Sequence, residues 1–226
     1  AESPKPMVAL GMGEFGLMSR ILAPKFGGFL TFASLRDEAT TAPGQPSLHD
    51  LLRTYRFGSI GRSTKLYGVV GWPVGHSRSP LIHNAGFEEV GHDGVYVPMP
   101  IASGDDAETS DASLKATLLE FIEHRLLDFA GCSVTLPHKE NLVRLAREQG
   151  WNLDEVAHAS GSANTVVVVR DDRGGPASVT VVNTDAAAAA QGLSRELGGL
   201  RDKRVLLLGA GGVARAIAFA LAGEGA

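Results

Sequence analysis

The sequence predicts an α/β fold built on an open, mostly parallel twisted sheet. Three observations predict it. Beyond residue 64, short apolar and β-branched runs alternate with stretches of helical periodicity, as parallel strands joined by crossover helices require. The glycines, 28 in a chain of 226 residues, gather in short clusters between apolar runs, where strands turn tightly into helices. Toward the C-terminal end, the apolar run 204–209 passes through a glycine-rich turn into a helical stretch, 212–221.

Before residue 64, an apolar strand at 7–11 leads into Gly13-Glu14-Phe15-Gly16, and a second strand candidate covers 29–33. Ser47 is placed to N-cap a helix with Leu48, Leu51, Leu52 and Tyr55 on one face and Asp50 in its first turn. Residues 58–63 read as a linker. Next come strand 66–71, helix 80–91, strand 95–99, a polar stretch, helix 114–127 and strand 129–136. Helix 139–149 is amphipathic, with Leu142, Val143, Leu145 and Ala146 on its apolar face. The β-branched runs 165–169 and 178–182 flank Asp171-Asp172-Arg173-Gly174-Gly175, a hairpin turn that adds an antiparallel element. The alanine-rich 186–190 is a helix of high propensity, and 204–209 reads as a buried parallel strand. One strand and one helix cannot bury each other's faces as a doubly wound domain requires, so we expect the chain to stop inside a domain.

An apolar share of 44% suits an ordinary globular core. A net charge of −4 without any Lys/Arg block gives no footprint for nucleic acid or an anionic membrane, so the expected partner is a small molecule. Cys132 is the only cysteine, which rules out an internal disulfide or a cysteine-based metal cluster and fits a reducing, cytoplasmic setting. No metal site is expected, and no apolar run approaches the roughly 20 residues of a membrane-spanning helix. The opening Ala1-Glu2-Ser3-Pro4-Lys5-Pro6 has neither an initiator Met nor a signal-peptide pattern, so the chain is expected to begin within something longer.

Four motifs carry chemistry. Gly209, Ala210, Gly211, Gly212, Val213 and Ala214 follow a strand and open a helix, the context in which GxGxxG/A binds a dinucleotide and begins a Rossmann domain. The glycines allow a tight turn and close approach of a pyrophosphate, and the helix N-terminus supplies N–H donors. The residue that selects NAD or NADP falls about 20 positions further on, past Ala226. In Gly71-Trp72-Pro73-Val74-Gly75-His76-Ser77-Arg78-Ser79-Pro80, the two serines at a helix start can hold a carboxylate; alternatively Ser79 merely caps the helix ahead of Pro80. In Val134-Thr135-Leu136-Pro137-His138-Lys139, Lys139 sits at the carboxyl edge of the sheet, in a first helical turn where the dipole disfavours a cation. Asn183-Thr184-Asp185 also falls at a strand end, where Asp185 is either functional or the ordinary N-cap of the alanine-rich helix. Asn164 precedes a strand, where it can simply form a turn.

In order and spacing these motifs, together with Ala163-Asn164-Thr165, resemble shikimate dehydrogenase over residues 64–226. The resemblance implies reversible, NADP-dependent reduction of 3-dehydroshikimate to shikimate in aromatic amino-acid biosynthesis. It assigns the substrate carboxylate to Ser77 and Ser79, and the hydroxyls to Thr135, Asn164 and Asp185. Lys139 and Asp185 would form the catalytic pair, and the glycine turn would hold the cofactor. One departure is Ala186, where many members of the family have Gly; another is the absence of the remaining nucleotide domain and of a Gln that helps hold the substrate.

The first 60 residues resemble the last two strands and final helix of a type I 3-dehydroquinate dehydratase, a (β/α)₈ barrel. Met12-Gly13-Glu14-Phe15-Gly16, Ser19-Arg20, 29–32 and Thr41-Ala42-Pro43-Gly44-Gln45 carry that likeness. It implies substrate contacts for Arg20 and Gln45, with Thr41 standing where Ser is common. A barrel needs eight strands, so no dehydratase turnover is expected of this remnant. The expected organisation is therefore a barrel remnant at 1–62, a substrate-binding domain at 63–190 and the start of an NADP-binding Rossmann domain at 191–226. Together they imply part of a bifunctional dehydratase/dehydrogenase, cytoplasmic or, in a plant, plastidic. The competing readings are a quinate/shikimate dehydrogenase, or a substrate-binding module without turnover.

Overall fold

The computed structural model describes residues 5–36, 41–104 and 106–225. Six strands form one mostly parallel sheet: β1 (Lys65–Gly71), β2 (Gly94–Pro100), β3 (Phe129–Val134), β4 (Asn152–Leu153), β5 (Thr165–Arg170) and β6 (Pro176–Val182). Their order is β2-β1-β3-β5-β6-β4. The α-helices are α1 (Gly13–Ile21), α2 (Ser79–Glu89), α3 (Ala107–Glu123), α4 (Lys139–Gln149), α5 (Glu155–Ser160), α6 (Thr184–Leu197) and α7 (Gly212–Gly223). Helix α3 starts seven residues earlier than its apolar periodicity predicts, because Asp106 Oδ1 accepts from Thr109 N at 2.7 Å and caps the polar stretch into a helix. The chain divides into two compact units, Ala1–Ala102 with Thr117–Gly131, and Ser103–Ala116 with Cys132–Ala226.

In the first unit, β1 and β2 pair in parallel, with Leu66 opposite Val95 and Val70 opposite Met99. Both strands are buried almost throughout, the pattern of parallel strands covered on two faces. Buried Asn84 on α2 donates to the Tyr96 carbonyl at 2.8 Å and accepts from the Tyr96 N–H at 2.7 Å, so its amide stands in for a neighbouring strand.

The expected strands at 7–11 and 29–33 do not form. Phe29 N donates to the Met7 carbonyl at 2.8 Å, but no ladder joins the two runs. An apolar run becomes a strand only beside a partner that takes its backbone groups. Helix α1, which the sequence pattern does not predict, holds Ile21 buried, and Phe15 stacks on Trp72 with ring centroids 5.2 Å apart.

Ser47 does cap: its Oγ accepts from Asp50 N at 3.2 Å. The capped segment is a π-type turn, Asp50–Thr54, in which Tyr55 N reaches back to the Asp50 carbonyl. The wider turn puts residues four apart on a shared face and separates those three apart. Leu51 and Tyr55 are accordingly buried while Leu48 and Leu52 are exposed. The linker is fastened at its end, because the buried Lys25 ammonium donates to the carbonyls of Arg62 and Thr64 at 2.9 and 2.7 Å.

In the second unit, α4 buries Leu142, Val143, Leu145 and Ala146, the face its periodicity predicts. β5 and β6 form the expected antiparallel hairpin, with a register shift between Val169 and Arg170. Two further elements are not predicted by the sequence pattern. Asp154 Oδ1 accepts from Ala157 N at 2.7 Å and caps α5, and β4 just before it pairs in parallel with β6. Ala190 of α6 and Leu221 of α7 are buried in one cluster with Leu200 from the segment that follows α6. The run 204–209, expected to be a buried strand, joins no ladder among the described residues and exposes Leu206 and Leu208. Its continuous apolar run, Val205 to Leu208, marks a surface that requires cover, but without a paired edge it stays irregular.

Candidate active site

Two helix N-termini in the second unit bring opposite charges together. Lys139 is the first residue of α4 and Asp185 the second of α6, and Lys139 Nζ lies 2.6 Å from Asp185 Oδ2. The dipole of α6 favours the Asp185 carboxylate, whereas that of α4 disfavours the Lys139 ammonium. The carboxylate offsets that misplacement. Both side chains are partly accessible, 17% and 32%, so the pair is sheltered yet reachable by a small molecule.

Asn164 completes the cluster. Its Nδ2 donates to Asp185 Oδ1 at 2.7 Å and to Thr184 Oγ1 at 2.9 Å, while its Oδ1 accepts from Thr184 N at 2.9 Å and Thr165 Oγ1 at 3.1 Å. Its backbone is tied as firmly: Asn164 N donates to the Val182 carbonyl and Val134 N to the Asn164 carbonyl. Asp185 is not the helix cap. Asn183 is, accepting from Ala186 N at 3.3 Å and donating to the Ser162 carbonyl at 2.7 Å, which frees the Asp185 carboxylate for Lys139 and Asn164. Thr135 lies partly exposed between β3 and α4, its carbonyl accepting from His138 N at 3.0 Å. Thr184 and Asn183, which supply much of this network, are visible in the motif but carry no separate sequence signal of their roles.

In the first unit, Ser77 and Ser79 stand at the entry to α2, both partly accessible. Ser79 does not cap the helix; it is the first helical residue, and Ser77 Oγ accepts from its N–H at 3.2 Å. The Ser77 hydroxyl oxygen thus takes one of the helix's free amides.

The glycine turn is built for close approach. Gly209 has φ +116°, which disfavours any residue with a side chain, and a Cβ at Gly212 would lie 2.5 Å from Ser162 Oγ. Gly211 caps α7 without any side-chain hydrogen bond, so the first amides of α7 meet no side-chain oxygen of their cap. An uncapped helix start behind a glycine turn fits a phosphate group. Ala210, Val213 and Ala214 complete the turn; Ala210 and Val213 are exposed.

Of the three residues expected to mark the barrel remnant, Thr41 and Gln45 meet, Gln45 Oε1 accepting from Thr41 N and Oγ1 at 3.0 and 2.9 Å. Arg20 is buried, and its Nη2 approaches Met12 Sδ at 3.6 Å. Burial pushes the Cys132 thiol well above its usual range, so it stays protonated and inert. Among the described residues, no group of three or more His, Cys, Asp or Glu is arranged to hold a metal, and no helix is long and apolar enough to cross a membrane.

Comparison with known proteins places these features. Residues 1–62 match the type I 3-dehydroquinase family, and residues 69–166 match the shikimate dehydrogenase substrate binding domain. The second match contains Ser77, Ser79, Thr135, Lys139 and Asn164; Asp185 and the glycine turn lie beyond it. The chain is 37% identical to a chloroplastic bifunctional 3-dehydroquinate dehydratase/shikimate dehydrogenase of Arabidopsis thaliana, over 98% of this chain and 35% of that protein. It is 44% identical to an NADP(+) shikimate dehydrogenase of Anaeromyxobacter dehalogenans, over 70% of this chain and 49% of that protein. The chain thus spans half or less of each relative. A crystal structure of Thermus thermophilus shikimate 5-dehydrogenase with NADP(H) and shikimate superposes with a TM-score of 0.54 at 32% identity, covering 71% of this chain and 52% of that one. The chain therefore carries a segment that matches the type I 3-dehydroquinase family, followed by one that matches the shikimate dehydrogenase substrate binding domain.

Proposed function

We propose that the chain contributes the proton-transfer machinery of an NADP-dependent shikimate dehydrogenase, within a bifunctional 3-dehydroquinate dehydratase/shikimate dehydrogenase. The observation that carries this reading is the Lys139–Asp185 ion pair, braced by Asn164 on the second carboxylate oxygen. Reduction of the 3-keto group of 3-dehydroshikimate builds alkoxide charge on oxygen. A positioned ammonium stabilises that charge and delivers the proton. Lys139 takes this role, and Asp185 keeps the ammonium aimed. In the reverse direction a neutral Lys139 removes the proton from the shikimate hydroxyl. Asn164 and Thr135 contact the remaining hydroxyls. Ser77 and Ser79 take the carboxylate, an assignment that rests on their motif.

The turn from Gly209 to Ala214 holds the cofactor phosphates; NADPH, when bound, supplies the hydride. In the barrel remnant Arg20, Thr41 and Gln45 keep the substrate-contact positions of the dehydratase. We place the protein in the cytoplasm, or in a plastid if its source is a plant.

The test is calorimetry with shikimate and with quinate, alongside NADP+ reduction followed by absorbance. Shikimate-dependent reduction supports the reading. Binding without turnover points to a substrate-binding module, equal turnover of quinate to a quinate/shikimate enzyme, and no binding of either acid overturns the proposal.

A further inference from the structure

Arg215, in the first turns of α7, is engaged in three directions. Its Nε donates to the Ser160 carbonyl at 2.9 Å, Nη1 to the Ala210 carbonyl at 3.1 Å and Nη2 to Glu140 Oε1 at 2.7 Å. The acceptors lie at the end of α5, within the glycine turn, and on α4 beside Lys139. A planar guanidinium fork reaches all three; a lysine ammonium, a single point charge, does not.

The segment Ser160 to Asn164 is the other half of this brace. Ala163 N donates to the Lys139 carbonyl at 3.0 Å, and Asn183 Nδ2 donates to the Ser162 carbonyl. Gly212 presses directly on Ser162, where even a Cβ would overlap the hydroxyl. The start of α7 is therefore fixed, through Arg215 and Gly212, to the backbone that carries Lys139 and Asn164. The Arg215–Glu140 pair is half-exposed, 45% and 48%, and pairs of that kind contribute little to stability. What the arrangement supplies is geometry.

We propose that Arg215 is a positioning residue that holds the glycine turn in register with the Lys139–Asp185–Asn164 cluster, and so sets where the cofactor phosphates are held. The proposal rests on the dehydrogenase reading above. Arg215 acts through the Ala210 carbonyl and the Glu140 carboxylate, without contact to the reacting atoms.

The experiment compares the chain with its Arg215→Met, Arg215→Lys and Glu140→Gln variants by calorimetric titration with NADP+ and separately with shikimate, and by amide hydrogen exchange without either ligand. Arg215→Met should weaken NADP+ about tenfold, in the range typical of coupled sites, and leave shikimate affinity within about twofold. Arg215→Lys should fail to restore NADP+ affinity, and Glu140→Gln should fall between wild type and Arg215→Met. Exchange should rise together in 160–164 and 209–213. Unchanged NADP+ affinity, equal weakening of both ligands, or full rescue by Lys overturns the proposal. If the unaltered chain binds neither ligand, the dehydrogenase reading fails, and exchange judges the brace separately: a joint rise supports it, and a rise confined to α7 overturns it.

Discussion

Asn164 donates to one carboxylate oxygen of Asp185 at 2.7 Å, leaving the other oxygen to Lys139 at 2.6 Å. Both oxygens being held, the carboxylate plane is fixed, and so is the direction in which the ammonium points. A general acid acts only within hydrogen-bond reach of its proton's destination. In the proposed mechanism the amide of Asn164 therefore serves proton delivery through Asp185 as well as contacting substrate.

Asn164→Ala removes that constraint. Hydrogen bonds to charged groups contribute roughly 1.5–3 kcal/mol, and partial exposure places this substitution near 1–2 kcal/mol. Chemical denaturation should show the loss, with a raised KM for shikimate. An unchanged midpoint and KM would show that Lys139 alone orients Asp185.

Asn183 and Asp185 should separate cleanly in stability. Asn183→Ala deletes the cap of α6 and the bond to the buried Ser162 carbonyl, at a cost of about 1–2 kcal/mol. Asp185→Asn keeps the cap and should cost less while abolishing turnover. If thermal melts rank the two the other way, Asp185 is the cap.

Gly212→Ala places a methyl 2.5 Å from Ser162 Oγ and 2.6 Å from Ser162 Cβ. Overpacking of this kind costs typically 1–3 kcal/mol. Ser162→Gly opens the space, so the Gly212→Ala cost should shrink in that background. Equal costs in both backgrounds would mean that the clash is relieved elsewhere.

Stability should fall at high pH. Burial, and next the charge of Asp50, raise the Tyr55 phenol from 10.0 to about 12. A phenol whose folded pKa is raised contributes stability that is fully present below the unfolded value, near 10, and lost as pH climbs toward 12. Denaturation midpoints measured from pH 9 to 12 should drop more steeply in the unaltered protein than in Tyr55→Phe. Parallel curves would assign the loss to other groups; Cys132, also raised by burial, titrates in the same direction.

The sheet and its helices were largely legible, because burial on one face imposes a period that the chain must display. Helix α4 is the clearest instance, with Leu142, Val143, Leu145 and Ala146 read from spacing and found buried. The same rule misled at 7–11, 29–33 and 204–209, since an apolar run reports a surface that wants cover and says nothing of whether a ladder partner is present. In the site, the oddity of a lysine in a first helical turn pointed to Lys139. Its meeting with Asp185 spans 46 positions of sequence and was drawn from resemblance, because no local pattern encodes it. Arg215 left no trace at all: its three acceptors are two backbone carbonyls and a glutamate 75 positions away.

The central claim is that Lys139 carries the proton in shikimate oxidation and its reverse. Steady-state kinetics of Lys139→Ala with shikimate and NADP+, paired with calorimetric shikimate binding, tests it most directly. The account predicts a kcat lower by roughly 10²–10⁴-fold, the range of a lost general acid, with shikimate still bound. A kcat near that of the unaltered enzyme would remove Lys139 from the mechanism and contradict the account.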